Sequence, residues 1–358
     1  MQGCIRSRPL AATAALLLLA GCGAKTGLEL AAEDGGFDAG QDAGMDAGPD
    51  AGPDAGPPDS GPDAPVCMPG NIRLERSLVE VVFVVDRSGS MRANFEGLTP
   101  IGAELSRWEL LEISMADALE AFDDSVSVGA KFFPSRSDRV TPDSCAVFDG
   151  LDVPIGPSRA DAVVSQFAQW NPAGGTPVGP AAQQALDSLL ARAEDNTAQF
   201  IIVATDGAPT CGDDPVAAML SVVQEAHEVH SVDVFVVGIA STAPEVALLD
   251  TLAVSGGRPR PETEETRFYD ARNPDLLGDL LGEITSDLAQ CVFAVPFPPD
   301  EDDTVEVQIR GATVPRDESR TNGWDWTSEA RGQLSLFGEP CVAAQGGTAV
   351  RAIITCGE

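Results

Sequence analysis

The chain has 358 residues, 43% of them hydrophobic, enough for one or two domains with a sizeable core. Its 56 acidic residues against 22 basic ones leave a formal charge of -34, which excludes nucleic acid as a partner, because a phosphate backbone needs cations to neutralise it. Two histidines and one tyrosine leave few groups for acid–base work near neutral pH, whereas an acidic field concentrates divalent cations.

Arg6 and Arg8 precede an apolar stretch that is too short to span a bilayer and closes on small residues, as a secretory signal does. The closing Leu19-Ala20-Gly21-Cys22 resembles the bacterial lipobox. That resemblance implies removal of residues 1–21 and lipidation of Cys22 with more than one acyl chain, which is what stable anchoring takes. Gly23 follows Cys22 where an aspartate would retain the protein at the inner membrane, so similarity to enterobacterial sorting signals points to the outer membrane. Across residues 22–66 the unit Asp-Ala-Gly recurs every four residues from Asp38 to Asp54, with proline entering late. Gly and Pro oppose helix, no apolar period exists, and ten acidic residues face only Lys25. A disordered, extended tether is expected, reaching roughly 35–40 Å.

From Cys67 the composition turns globular. Residues 78–85 form a near-continuous Val-rich run, typical of a strand buried on both faces. Leu105, Trp108, Leu111, Met115, Leu119 and Phe122 recur at helical spacing, and residues 125–133 read as a strand. Helices are expected over 159–170 and 178–193, a second fully apolar strand over 200–205, and a helix opened by Pro215. A strand over 232–240, a helix over 244–254 and a short strand over 267–269 follow. Asn273 and Pro274 suit the N-cap and first turn of a helix whose inner face is Leu277, Leu280, Leu281, Ile284 and Leu288. This alternation over residues 67–290 predicts an α/β domain with a doubly wound, mostly parallel sheet.

After Cys291 the grammar changes: Val305, Val307 and Ile309 alternate with polar residues, and 333–337 and 348–355 are strand-like. A small all-β appendage over residues 291–358 is expected, with Trp324 and Trp326 in a loop that joins its core. An exported chain with Cys67, Cys145, Cys211, Cys291, Cys341 and Cys356 is expected to form up to three disulfides. Fifteen pairings are open; Cys145 with Cys211 and Cys341 with Cys356 are preferred. No C-x-x-C spacing supports zinc. His227-Glu228-Val229-His230 falls one residue short of a zinc-protease motif and reads as an exposed helix end, and Asp300 to Asp303 read as a solvated loop.

Asp86 and Asp206 each directly follow an apolar strand, the place where open α/β sheets bind ligands. Ser88 and Ser90 accompany the first, and Thr176 follows the Gly174-Gly175 pair, which lets the backbone come close. Carboxylates and hydroxyls are hard oxygen donors, so this set suits Mg2+, with Mn2+ or Ca2+ as substitutes. With few carboxylates bound directly, the ion keeps charge enough to attract a carboxylate from outside. The rival is that Asp86 and the serines merely cap the next helix.

Asp-Arg-Ser-Gly-Ser at 86–90, Thr176 after its glycine pair and Thr-Asp-Gly at 205–207 together resemble the von Willebrand factor type A domain. Its metal-ion-dependent adhesion site uses D-x-S-x-S, a Thr and an Asp in that chain order. The resemblance covers about residues 78–290 and implies roles for five residues. Ser88 and Ser90 would contact the metal directly, Thr176 would do so with ligand bound, and one or both of Asp86 and Asp206 would act through water. Pro177 after the Thr is a departure. No serine elbow, phosphate loop or dinucleotide fingerprint is present, so a binding module is expected in place of an enzyme. Its partners would be the membrane, through Cys22, and a protein or matrix ligand offering an Asp or Glu carboxylate. A cell-envelope scaffold with metal-independent contacts is the alternative.

Overall fold

The structure is a computed structural model that describes residues 67–120, 122, 126–135, 144–192, 197–296, 299 and 302–357. The expected signal, Cys22 and the tether lie outside the described residues, as do Asp300 and Glu301. Among the described residues no helix is long and apolar enough to cross a membrane.

In chain order the strands and helices are β1 (Gly70–Arg73), β2 (Glu75–Arg76), β3 (Leu78–Asp86), α1 (Arg107–Leu119), β4 (Val126–Phe133), β5 (Val153–Gly156), α2 (Ala160–Gln169), α3 (Val178–Leu190), β6 (Thr197–Thr205) and α4 (Pro215–Glu228). They continue as β7 (Asp233–Ile239), α5 (Ala243–Ser255), β8 (Tyr269–Ala271), α6 (Pro274–Gln290), β9 (Val292–Ala294), β10 (Thr304–Ile309), β11 (Ala312–Val314), β12 (Gly323–Ser328), β13 (Gln333–Phe337), α7 (Glu339–Gln345) and β14 (Val350–Thr355).

The central sheet runs β5-β4-β3-β6-β7-β8, parallel except for the antiparallel edge strand β5. Alternation along β3 shows why it is doubly wound. Val79, Val81, Phe83 and Val85 join the core under α1, α2 and α6, while Val82 and Val84 join the core under α3, α4 and α5. The helices start where their local chemistry dictates. Ser106 and Glu109 close a reciprocal capping box on α1, Asp214 with Pro215 opens α4, and Asn273 with Pro274 opens α6.

The second layer of the molecule is two four-stranded antiparallel sheets, β1-β14-β10-β11 and β12-β13-β9-β2. Residues 70–76, grouped with the α/β domain on sequence grounds, instead pair with β14 and β9. These strands are short and mostly exposed, so they carry no apolar pattern to announce them. The appendage is also not purely β, since α7 packs within it. Trp324 and Trp326 sit on a strand, not in a loop. Alternation puts both rings in the core, edge to face at 5.2 Å, and turns Asp325 to Arg316 and Arg320. The strand expected at 267–269 lies two residues later, as β8.

Three disulfides form: Cys67–Cys356, Cys145–Cys211 and Cys291–Cys341. The preferred pairing of Cys341 with Cys356 is therefore wrong. Antiparallel pairing of Gly70 with Ile354 draws Cys356 to Cys67, and α7 docks on α6, setting Cys341 beside Cys291 at a Cα separation of 5.3 Å.

The two layers are joined through Asp233 at the start of β7, which is fully buried. It accepts from Arg258 Nε at 2.7 Å, from Arg320 Nη1 at 3.0 Å and from His227 Nδ1 at 2.8 Å. Arg258 continues to Ser335 in β13 at 2.8 Å, with its guanidinium over the rings of Phe200, Phe235 and Phe337. Burial pushes Asp233 up, but the two guanidiniums and His227 outweigh it and hold the carboxyl down at about 2.

Candidate functional site

β3 and β6 are neighbours in parallel register, with Val85 opposite Ala204, so both end at the same edge of the sheet. Asp86 closes β3, Thr205 closes β6, and Asp206 follows. The two apolar runs thus deliver their terminal oxygens to one spot.

Asp86 is 0% exposed. Its Oδ1 accepts the Ser88 backbone N–H at 2.7 Å, and its Oδ2 accepts the Thr205 hydroxyl at 2.6 Å. Ser88 Oγ lies 2.9 Å from Ser90 Oγ, and Ser90 Oγ donates to Asp206 Oδ1 at 2.7 Å. Asp86, Ser88 and Asp206 are buried and Ser90 stands at the exposed mouth. Ser88 occupies the N-cap position of the short turn Gly89–Arg92, yet its side chain makes no cap hydrogen bond. The capping alternative therefore fails for Ser88: its hydroxyl faces the other oxygens.

Thr176 arrives on a third loop. The Gly89 N–H donates to Gly174 O at 3.0 Å, tying this loop to the serine turn; the Thr176 N–H donates to Thr210 Oγ1 at 2.9 Å, and the Thr210 N–H donates to Thr176 O at 3.1 Å. Thr210 adjoins Cys211, whose disulfide to Cys145 pins the loop beyond Asp206. The glycine pair is required by this crowding. Gly174 has φ +91°, and a Cβ on Gly175 would lie 2.8 Å from Cys211 Sγ. The structure thus gathers Asp86, Ser88, Ser90 and Asp206 into one hydrogen-bonded set and ties the backbone of Thr176 to both neighbouring loops.

Oxygens around an octahedral ion at about 2.1 Å stand about 3 Å apart. The separations from Ser88 to Ser90 and from Ser90 to Asp206 match such edges, at 2.9 and 2.7 Å, and the donors are all hard oxygens. These residues fit Mg2+ or Mn2+. Burial pushes the Asp86 carboxyl up to about 7, helped by the charge of Asp206 and opposed by the bonds from Thr205 and Ser88. Burial likewise raises Asp206, with Ser90 and Arg107 pulling against it. Two carboxyls in this condition ionise readily only beside a cation.

Three contributors were not singled out in the sequence. Thr205 orients Asp86. Arg87, the variable position of the D-x-S-x-S run, is 2% exposed and donates to Pro134 O at 3.0 and 2.7 Å and to Asn171 O at 2.8 Å, clamping the strand exit. Arg107 reaches from the start of α1 to Asp206 Oδ2 at 2.7 Å. Nothing in the one-dimensional pattern marks either arginine, because Pro134 and Asn171 lie 47 and 84 residues from Arg87, and Asp206 lies 99 from Arg107. His227, expected as an exposed helix end, is instead a partner of Asp233. The acid–cysteine groups at Asp303 and Asp287 have both of their sulfurs in disulfides and so offer no thiolate to a metal. A cleft of about 790 Å³ beside Arg267 and Arg320 is lined by none of the five expected metal ligands.

The von Willebrand factor type A domain model matches residues 158–283. That span contains Thr176 and Asp206, and the α/β fold with its central sheet is similar to that of the family. Domains of this kind often bind a divalent metal. No curated protein matches the sequence. Among solved structures, the PilB minor pilin of Streptococcus sanguinis is 18% identical, with TM-score 0.44, over 60% of this chain and 62% of the pilin. The SpaC pilus adhesin of Lactobacillus rhamnosus GG is 16% identical, TM-score 0.46, over 79% of this chain and 40% of the adhesin. The von Willebrand domain of the type V pili tip protein Mfa5 from Porphyromonas gingivalis is 12% identical, TM-score 0.40, over 59% of this chain and 95% of that domain. The chain spans less than two thirds of that pilin and of that adhesin, and these likenesses of shape carry no part of the functional argument.

Proposed function

We propose that this chain is an exported, lipid-anchored binding module that holds a protein or matrix ligand through one divalent ion, Mg2+ by preference, at Asp86, Ser88, Ser90, Thr176 and Asp206. The observation that supports it is the chain of oxygens from Ser88 through Ser90 to Asp206, at octahedral-edge spacing. When bound, the ion would supply an electrophilic position for an outside Asp or Glu carboxylate. The protein's own residues set the rest. Thr205 and the Ser88 N–H orient Asp86, the two serine hydroxyls bring oxygen without charge, and the Gly174-Gly175 loop that carries Thr176 is tied to the serine turn. Lipidation at Cys22 and the acidic tether would hold this face away from the outer membrane.

The test is capture of envelope and matrix protein fractions by the full chain in Mg2+ and in EDTA. Capture lost in EDTA and lost equally in Asp86→Ala supports the reading. Equal capture in all three would assign the contacts to a metal-independent scaffold.

A further inference from the structure

Arg107 is an unusual neighbour for a cation site. It is 8% exposed and is held on three sides: its backbone N–H donates to Ala93 O at 2.8 Å, its Nε to Asn94 O at 3.1 Å, and its Nη1 to Asp206 Oδ2 at 2.7 Å. It does not fill the oxygen cluster itself. The Asp206 oxygen that faces the serines is Oδ1, bonded to Ser90, and Arg107 takes the other one. The guanidinium is therefore a fixed positive charge behind the carboxylate, on the oxygen that does not face the serines. Asp86 and Asp206 place two negative charges on the cluster, and Glu245 adds to the field at Asp206; Arg107 offsets one of these charges.

We infer that Arg107 is a specificity-setting residue that weakens the grip on the ion in order to strengthen the ion's grip on a carboxylate ligand. The inference rests on the metal-dependent reading above. Its logic is electrostatic. Each negative charge around a divalent ion reduces its attraction for an outside anion. With one carboxylate charge offset by Arg107, the ion keeps more of its positive charge at the mouth of the cluster. The same guanidinium repels the incoming ion across the width of one carboxylate, so metal affinity and ligand affinity move in opposite directions when it is removed. A purely structural arginine would move neither, or would lower both.

The experiment uses the full chain, with Mg2+ alone as the first probe and acetate as the second. Calorimetry gives the Mg2+ dissociation constant for the wild type, Arg107→Gln and Arg107→Lys. Water-proton relaxation of the Mn2+-loaded proteins then gives acetate binding. Arg107→Gln is expected to bind Mg2+ roughly tenfold more tightly and acetate several-fold more weakly, and Arg107→Lys, which keeps the charge, to stay within about twofold of wild type on both. Arg107→Met replaces Arg107→Gln, at the same thresholds, if the latter does not fold. Mg2+ affinity that is unchanged or weaker in the neutral variants overturns the inference while leaving the ion site intact. A wild-type chain that binds no ion overturns both the inference and the function proposed above.

Discussion

Replacing Asp233 with Asn tests the junction that holds the two layers together. The carboxylate is fully buried and faces two guanidiniums whose side chains are 8% and 11% exposed. Removing one partner of a buried ion pair strands the other charge, at a cost of about 3–5 kcal/mol; here Arg258 is stranded, while Arg320 keeps Asp325 at 3.1 Å. Asn still accepts one hydrogen bond at the same place, so a loss of about 3 kcal/mol is expected. Guanidinium unfolding of both proteins measures it, and Glu265→Ala is the control. Glu265 pairs with Arg272 at an exposed surface, where such a pair contributes under about 1 kcal/mol. The acid limb gives an independent reading. The Asp233 carboxyl is held at about 2, below its ordinary 3.8. A depressed carboxyl adds stability that is present above about pH 4 and is lost as pH falls toward 2, worth about 2–3 kcal/mol. Asp233→Asn must lack that part of the acid transition. A variant within 1 kcal/mol of wild type, with an unchanged acid limb, would refute the role given to this network.

At Gly175, a Cβ would meet Cys211 Sγ at 2.8 Å and Thr210 Oγ1 at 3.1 Å, so Gly175→Ala is expected to cost about 1–3 kcal/mol and to weaken Mg2+ binding. Gly282→Ala, inside α6 with open space around it, is expected to be neutral or to stabilise by up to about 1 kcal/mol; melting both variants separates crowding from the general effect of the substitution. Asp86 is raised to about 7, so the ion-free folded chain holds a proton that the unfolded chain releases from about pH 4 upward. That contribution is complete below the unfolded pKa and is lost as pH rises through 7, so the melting temperature in EDTA should fall between pH 5 and 8. An ion that replaces the proton should then raise it more at pH 8 than at pH 5; an increment independent of pH would contradict this.

How much was legible in the sequence follows from the physics of each element. β3 and β6 bury both faces, so their composition declares them, and the oxygens at their ends come with them. β1 and β2 are short exposed edge strands, and β5 is four residues containing Pro and Gly, so none carries a usable period. Trp324-Asp325-Trp326 is too short a run to declare a strand by itself; on β12 its alternation makes one face apolar and the other ion-paired. The disulfide of Cys145 with Cys211 was within reach because it flanks the site loops. Cys67–Cys356 depends on a strand pairing across 289 residues, which no local pattern encodes. Arg107 was missed for the same reason: at the start of a helix it resembles any solvated arginine until the fold brings Asp206 to it.

One divalent ion is expected among the oxygens of Asp86, Ser88, Ser90, Thr176 and Asp206. Titrating Mn2+ into the full chain and into Asp86→Ala, with free ion counted by electron spin resonance, tests this most directly. One tightly held ion per chain in the wild type, absent from a folded Asp86→Ala variant, is the predicted result. No bound ion in the wild type, or the same ion retained by the variant, would contradict the account.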